Sequence, residues 1–226
     1  MDICAKLMLE LVYVIDKSHN MAGILFLYFS IIFAPKLNRM NQKACLSLLA
    51  LFISFSVFSQ ARFPVIDKSP MDICYYPVNY PILKIQNKAT EPLIARVSYS
   101  RPQKNGRMVF GELVEFGKVW RLGANEATEI ELFKDVKIGG NKLKKGRYTI
   151  YAIPVADKWT IIFNKETDIW GAFQYDSKKD VLRIDVRTEK TSEINEAFSM
   201  VFEKNATGAN LVMGWDDVVA KVPFTF

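Results

Sequence analysis

Histidine is almost missing from this chain: His19 is the one example in 226 residues. Cysteine is nearly as scarce, with Cys4, Cys45 and Cys74. His19, Cys4 and Cys45 all fall in the first sixty residues, which read as lying outside the folded domain. The domain that remains has no imidazole and one thiol. That excludes Ser-His-Asp and Cys-His nucleophilic machinery, a histidine general base and histidine-ligated zinc. One thiol closes no internal disulfide and builds no four-cysteine zinc site. Cys74, in Asp72-Ile73-Cys74-Tyr75-Tyr76, reads as a small buried apolar residue. No metal and no cofactor is expected.

Long apolar runs are also lacking. The two longest, Met21 to Ala34 and Ala44 to Phe58, fall short of the roughly 20 residues a spanning helix needs. The second has the layout of a secretory signal. Arg39 and Lys43 precede it, and Val57-Phe58-Ser59 offers a cleavage site before Gln60. The expected organisation is a non-native extension over 1–39, a start at Met40 and a signal peptide over 40–59. An extended arm over 60–91 and a folded domain over 92–226 follow. Two short membrane segments are the competing reading. Cys45 comes before the apolar core rather than after it, so it is no lipoprotein acceptor. The expectation is an exported, periplasmic or extracellular protein with no stable membrane insertion after signal removal.

Charge of one sign is not concentrated anywhere. Thirty Lys and Arg stand against 24 Asp and Glu, a net charge of +6, and the two signs are mixed. The densest basic patch, Asn141-Lys142-Leu143-Lys144-Lys145, reads as a solvated turn, so no nucleic-acid partner is expected. No repeat of solenoid length occurs. The tetrapeptide Met-Asp-Ile-Cys stands at Met1 and at Met71, but nothing around it repeats.

What the chain does have is alternation. Glu129 and Glu131 alternate with Ile130 and Leu132. Tyr148, Ile150 and Ala152 share a face, as do Trp159, Ile161 and Phe163, and then Leu182, Ile184 and Val186. The same holds for Phe198, Met200 and Phe202, for Leu211, Met213 and Trp215, and for Val222, Phe224 and Phe226. Side chains alternate across a strand, so each run predicts a strand with one buried face. Gly139-Gly140-Asn141, Lys145-Gly146 and Ile153-Pro154 supply turns between them. The fold class expected is all-β, a single-domain antiparallel β-sandwich, with a closed β-barrel as the alternative. Single helical turns fit only Met108 to Phe116 and Ser192 to Ala197. Ser69 to Tyr80, with two prolines and three tyrosines, reads as part of the arm, laid over a sheet edge.

One stretch breaks the alternation: Tyr99 to Thr128, YSRPQKNGRMVFGELVEFGKVWRLGANEAT. It is rich in breaks yet carries Phe110, Phe116 and Trp120. Such a segment reads as an ordered irregular loop, the element that most often holds binding sites.

Its motifs belong to a longer set. Tyr99-Ser100-Arg101-Pro102, Gly106-Arg107, Phe110-Gly111-Glu112-Leu113-Val114 and Gly117 to Asn125 come first. Ile138-Gly139-Gly140, Gly146-Arg147-Tyr148-Thr149, Trp159 to Asn164 and Trp170-Gly171 follow in order. Together they resemble the family known as domain of unknown function 2911 (DUF2911), from about Ser69 to Phe226. The resemblance implies an exported bacterial protein. It implies no reaction, substrate or site residue.

Three constellations carry possible chemistry. The first is Trp120-Arg121-Leu122-Gly123-Ala124-Asn125, with Arg101 and Arg107 upstream. Arginine offers a planar fork of donors suited to carboxylate or phosphate, and a tryptophan beside it suits a sugar or ring. The competing structural role has Arg121 paired with Glu112 or Glu126, Asn125 capping loop carbonyls and Trp120 filling core. The second is the carboxylate set Glu112, Glu115, Glu126 and Asp168, where a glycosidase would need two acids in one cleft. The third is Trp159, Trp170, Phe173 and Tyr175. Trp159 falls in the strand phase and is expected in the core. Trp170 is the expected exposed aromatic, a sugar platform or a plug for the end of the sheet. Asn205-Ala206-Thr207 is a sequon in form, given no weight for a bacterial protein.

The functional expectation is a non-catalytic binding module for a small anionic or carbohydrate ligand. The ligand-binding candidates are Arg101, Arg107, Trp120, Arg121, Asn125 and Trp170. An envelope assembly or structural protein is the alternative, followed by a carboxylate-dependent hydrolase.

Overall fold

A computed structural model describes residues 63–226 of the chain. The expected extension over 1–39 and the signal peptide over 40–59, with Cys4, Cys45 and His19, lie outside the described residues. The nine strands among the described residues begin with β1 (Met71–Tyr76), β2 (Ala95–Ser100), β3 (Glu129–Leu132), β4 (Val136–Ile138) and β5 (Asn141–Leu143). They continue with β6 (Gly146–Pro154), β7 (Lys158–Asn164), β8 (Asp180–Asn205) and β9 (Gly208–Thr225). One short helix, α1 (Tyr80–Ile85), lies between β1 and β2. No helix among the described residues is long and apolar enough to cross a membrane.

The strands form one antiparallel sheet in the order β1-β2-β3-β6-β7-β8-β9-β4-β5. The all-β antiparallel expectation therefore holds. The hydrogen bonding does not divide into the two separate sheets of a sandwich. Nor does it close as a barrel, because β1 and β5 end the order unpaired with each other. The reason lies in β8. Its 26 residues pair first with β7 and then with β9, so one strand carries the sheet from one half to the other. Ser192 to Ala197, expected as a helical turn, is an irregular part of that strand, where the register with β9 shifts on either side of Asn195. Such bulges bend a strand without ending it.

Met71–Tyr76, inside the segment read as an extended arm, is a full edge strand. All six of its residues pair with β2, from Met71 opposite Ser100 to Tyr76 opposite Ala95. Helix α1 follows, with Pro81 in its first turn, where the missing N–H costs nothing. The basic patch at Asn141 includes β5, which is joined to β4 by a Gly139-Gly140 turn with both residues at positive φ.

The alternating runs face the core as their phase predicts. Ile130, Ile150, Ala152, Trp159, Ile161, Phe163, Phe198, Met213, Trp215, Val222 and Phe224 are all buried in one cluster. Tyr151 and Ile162 point the other way yet are buried as well, in a second cluster with Ala127. Val119, Ile153, Ala172 and Tyr175 pack against it. The middle of the sheet is thus covered on both faces, which one-face alternation did not predict.

Candidate functional site

The irregular stretch from Arg101 to Thr128 divides into three parts with different surroundings. The first docks on the irregular part of β8. The Phe198 N–H donates to the Pro102 carbonyl (2.9 Å) and the Lys104 N–H to the Glu196 carbonyl (2.7 Å). Lys104 Nζ also lies 2.6 Å from Asp216 Oδ1, with both side chains largely shielded. Arg101 spends three of its five N–H donors on the fold here. It contacts Asp72 Oδ2 of β1 at 3.1 Å, and donates to the Phe198 carbonyl at 3.3 Å and to Ser199 Oγ at 2.9 Å. Arg107 closes its own turn on the Gln103 and Lys104 carbonyls. Both arginines hold the loop down.

In the second part, Met108 to Phe116, hydrogen bonds run from Leu113 N to the Met108 carbonyl and from Val114 N to the Val109 carbonyl. These are wide turns rather than the expected helical turn. They seat Val109 and Val114 in the core and leave Phe110 packed against it.

The third part leaves the sheet at Trp120 and returns at Thr128. Trp120 N–H and C=O pair with Ala152 of β6, and the Ile150 N–H donates to the Thr128 carbonyl. The two ends of the loop therefore occupy successive positions along the same edge of β6. Between them the Thr128 N–H donates to the Arg121 carbonyl (3.0 Å), and Thr128 Oγ1 to the Leu122 carbonyl. Leu122 and Asn125 stand at positive φ, as does Gly123 at 152°. A Cβ on Gly123 would sit 3.1 Å from the Ser100 carbonyl oxygen, so the close approach to β2 requires glycine.

Trp120 is only 7% exposed. Its ring meets Trp159, Phe198, Trp215 and Phe110, and its Nε1–H donates to the Gly123 carbonyl at 3.2 Å. Filling core is what it does, which leaves no ring face for a ligand. Asn125 accepts the Gly171 N–H at its carbonyl (2.9 Å), and Ala127 N–H donates to Ile169. Glu126 bridges to Trp170. The loop is thus backed by the segment that carries Trp170, which is 61% exposed, and Phe173, 84% exposed.

Arg121 differs from the other two arginines. It forms no ion pair and donates no hydrogen bond to any described residue. The pairing with Glu112 or Glu126 is absent, and both acids are exposed. Its Nε is buried and unpartnered. Burial pulls the guanidinium below the ordinary arginine value, and no carboxylate offsets it. A buried unmet donor costs about 1–3 kcal/mol, so the chain tolerates a defect here that it avoids at Arg101 and Arg107.

Of Glu112, Glu115, Glu126 and Asp168, Asp168 alone forms an ion pair with a described residue. Asp168 pairs with Arg147, which also holds Glu129 at 2.7 Å, and the Asp168 N–H donates to Glu129 at 2.6 Å. The Asp168 carboxyl is held below its usual range, first by Arg147 and then by Thr167. A glycosidase acid needs the opposite shift. No group of three or more His, Cys, Asp or Glu among the described residues could hold a metal. Sequence reasoning missed the Arg101–Asp72 clamp and the second cluster, since both join segments far apart in the chain. The sequon at Asn205 sits in the β8–β9 turn, where its side chain accepts the Thr207 N–H at 2.9 Å.

No curated protein and no solved structure gives a significant match to this chain. The ordered motifs quoted above do fit one family model, described as a protein of unknown function, which matches residues 83–224. With well over half of its length covered by that match, the chain belongs to the DUF2911 family.

Proposed function

We propose that this protein is a non-catalytic binding module that takes a small anionic ligand at Arg121. The observation that carries the reading is a half-shielded guanidinium with no carboxylate partner among the described residues and a buried, unpartnered Nε. Its two Nη atoms also lack described partners, yet they are not among the buried orphans. That edge of the fork is what a carboxylate or phosphate would meet, in the two-point geometry arginine favours. Shielding strengthens such a contact relative to open water. The ordered loop holds the fork ready, which lowers the entropic cost of binding.

Anion recognition is favoured over sugar stacking because Trp120 is committed to the core. Trp170 remains the aromatic that would flank a ring-bearing anion, on the segment hydrogen-bonded to the Arg121 loop. Export rests on the Arg39 to Ser59 signal layout, and an intact mass beginning at Gln60 would support it. A full-length chain retained in the membrane would remove it.

The test is a thermal-shift screen of the full chain against phosphate, sulfate, small carboxylates and anionic cell-wall fragments, with Arg121→Met alongside. The expected result is a rise in melting temperature for an anion that the variant, still folded, does not show. An equal shift in both proteins, or none in either, rejects the site.

A further inference from the structure

Two adjoining hollows, of about 250 and 340 Å³, meet at Tyr76, Glu91 and Lys204. They lie far from Arg121. Tyr76 pairs with Ala95, and Ala95 with Leu132, which marks one end of β2. The Arg121 loop packs on Ser100 at the other end. One hollow is apolar in lining, with Pro77, Val78, Tyr80 and Leu83 along the approach to α1. The other is more polar and adds Lys134 and the β8–β9 turn.

The charges around this cleft are uncommitted. Glu91, Lys134 and Lys204 form no ion pair with any described residue. Glu91 is close enough to act on the cleft wall. The Tyr76 hydroxyl is raised above its ordinary value first by burial and then by the Glu91 charge. The cleft therefore sets an acid and lysines of opposite sign beside an apolar recess.

We propose that this cleft binds a zwitterionic α-amino acid with an apolar side chain. Glu91 takes the ammonium, Lys204 and Lys134 take the carboxylate, and the side chain enters the recess by Leu83 and Val78. A neutral sugar would leave three charges without partners. A simple carboxylate would leave Glu91 unmatched, and a simple amine would leave both lysines unmatched. Each half-ligand forgoes one of the two charge contacts, because the exposed group it leaves unmatched stays hydrated.

The experiment is calorimetric titration of the full chain with L-leucine, 4-methylpentanoate and 3-methylbutylamine. L-Leucine is expected to bind saturably, and each half-ligand to bind at least about tenfold more weakly. Lys204→Ala and Glu91→Gln alter exposed side chains, so circular dichroism should show them folded. Each is expected to weaken L-leucine by about fivefold or more. The proposal is overturned by absence of saturable heat with the folded chain. Equal affinity for a half-ligand, or unchanged L-leucine binding in both variants, overturns it too.

Discussion

Trp120 lies over Trp215 with ring centroids 5.9 Å apart and ring planes 21° apart. One ring comes from the irregular loop and the other from β9, so the loop is tied to the sheet by a shared core. Trp159 meets Trp120 edge-on at 5.7 Å, and Phe198 closes in at 5.1 Å. Trp120→Ala and Trp159→Ala are each expected to cost about 3–5 kcal/mol, the range for emptying a large aromatic from a core. Denaturant melts followed by tryptophan fluorescence measure this. A loss below about 1 kcal/mol for Trp159→Ala would mean that the strand phase is misassigned.

The arginines should separate by stability. Arg101 joins β1 to β8 through Asp72, Phe198 and Ser199, so Arg101→Ala is expected to lose about 1–2 kcal/mol, tempered by partial solvent exposure. Arg121→Met keeps the apolar stem and removes a shielded charge without a partner. Its melting temperature should equal or exceed that of the natural chain. A marked destabilisation of Arg121→Met would show that the guanidinium is held by the fold rather than kept for a ligand.

Gly123→Ala tests whether the loop must hug β2. Positive φ and the 3.1 Å approach to the Ser100 carbonyl predict a loss of about 1–3 kcal/mol. The same variant should lose the anion response of Arg121. Melting curves with and without phosphate read both effects. Natural stability with an intact anion response would argue that the loop geometry is not what positions Arg121.

At alkaline pH the fold should weaken through two weak acids, the buried Tyr99 and the partly buried Cys74. Burial pushes the Cys74 thiol from 9.0 up to about 12, and the Tyr99 hydroxyl from 10.0 up to about 12. The folded state keeps these protons longer than the unfolded chain does. Their contribution is therefore complete below the ordinary values and is lost as pH rises from about 9 towards 12. Absorbance near 295 nm should report tyrosine ionisation arriving with unfolding. Cys74 should resist thiol reagents at pH 8 until denaturant is added. Rapid reaction of the native protein would contradict its packing against the core.

Much of the sheet was legible because strand phase is written in neighbouring residues. Ile130, Trp159, Phe198, Met213 and Phe224 occupy the faces their alternation predicts. Helix α1 was not legible, since six residues beginning Tyr80-Pro81 are too few to show a helical period. Burial of Tyr151 and Ile162 escaped as well, because the covering residues Ala172 and Tyr175 come from a later loop. At the candidate site, the loop's residues take different structural roles that spacing along the chain does not separate. Trp120, Arg101 and Arg107 serve the fold, and Arg121 is left over.

The sequence by itself determined the strands β3, β6, β7, β8 and β9 with one buried face each, the family, and the lack of imidazole after His19. Each of these follows from residue identity or from order along a few positions. Only the tertiary structure decided that one sheet is carried across both halves by β8. It also decided that Arg101 meets Asp72 and that Arg121 meets no acid among the described residues. Pairing of a charge depends on which distant segment folds beside it, and spacing along the chain does not encode that distance.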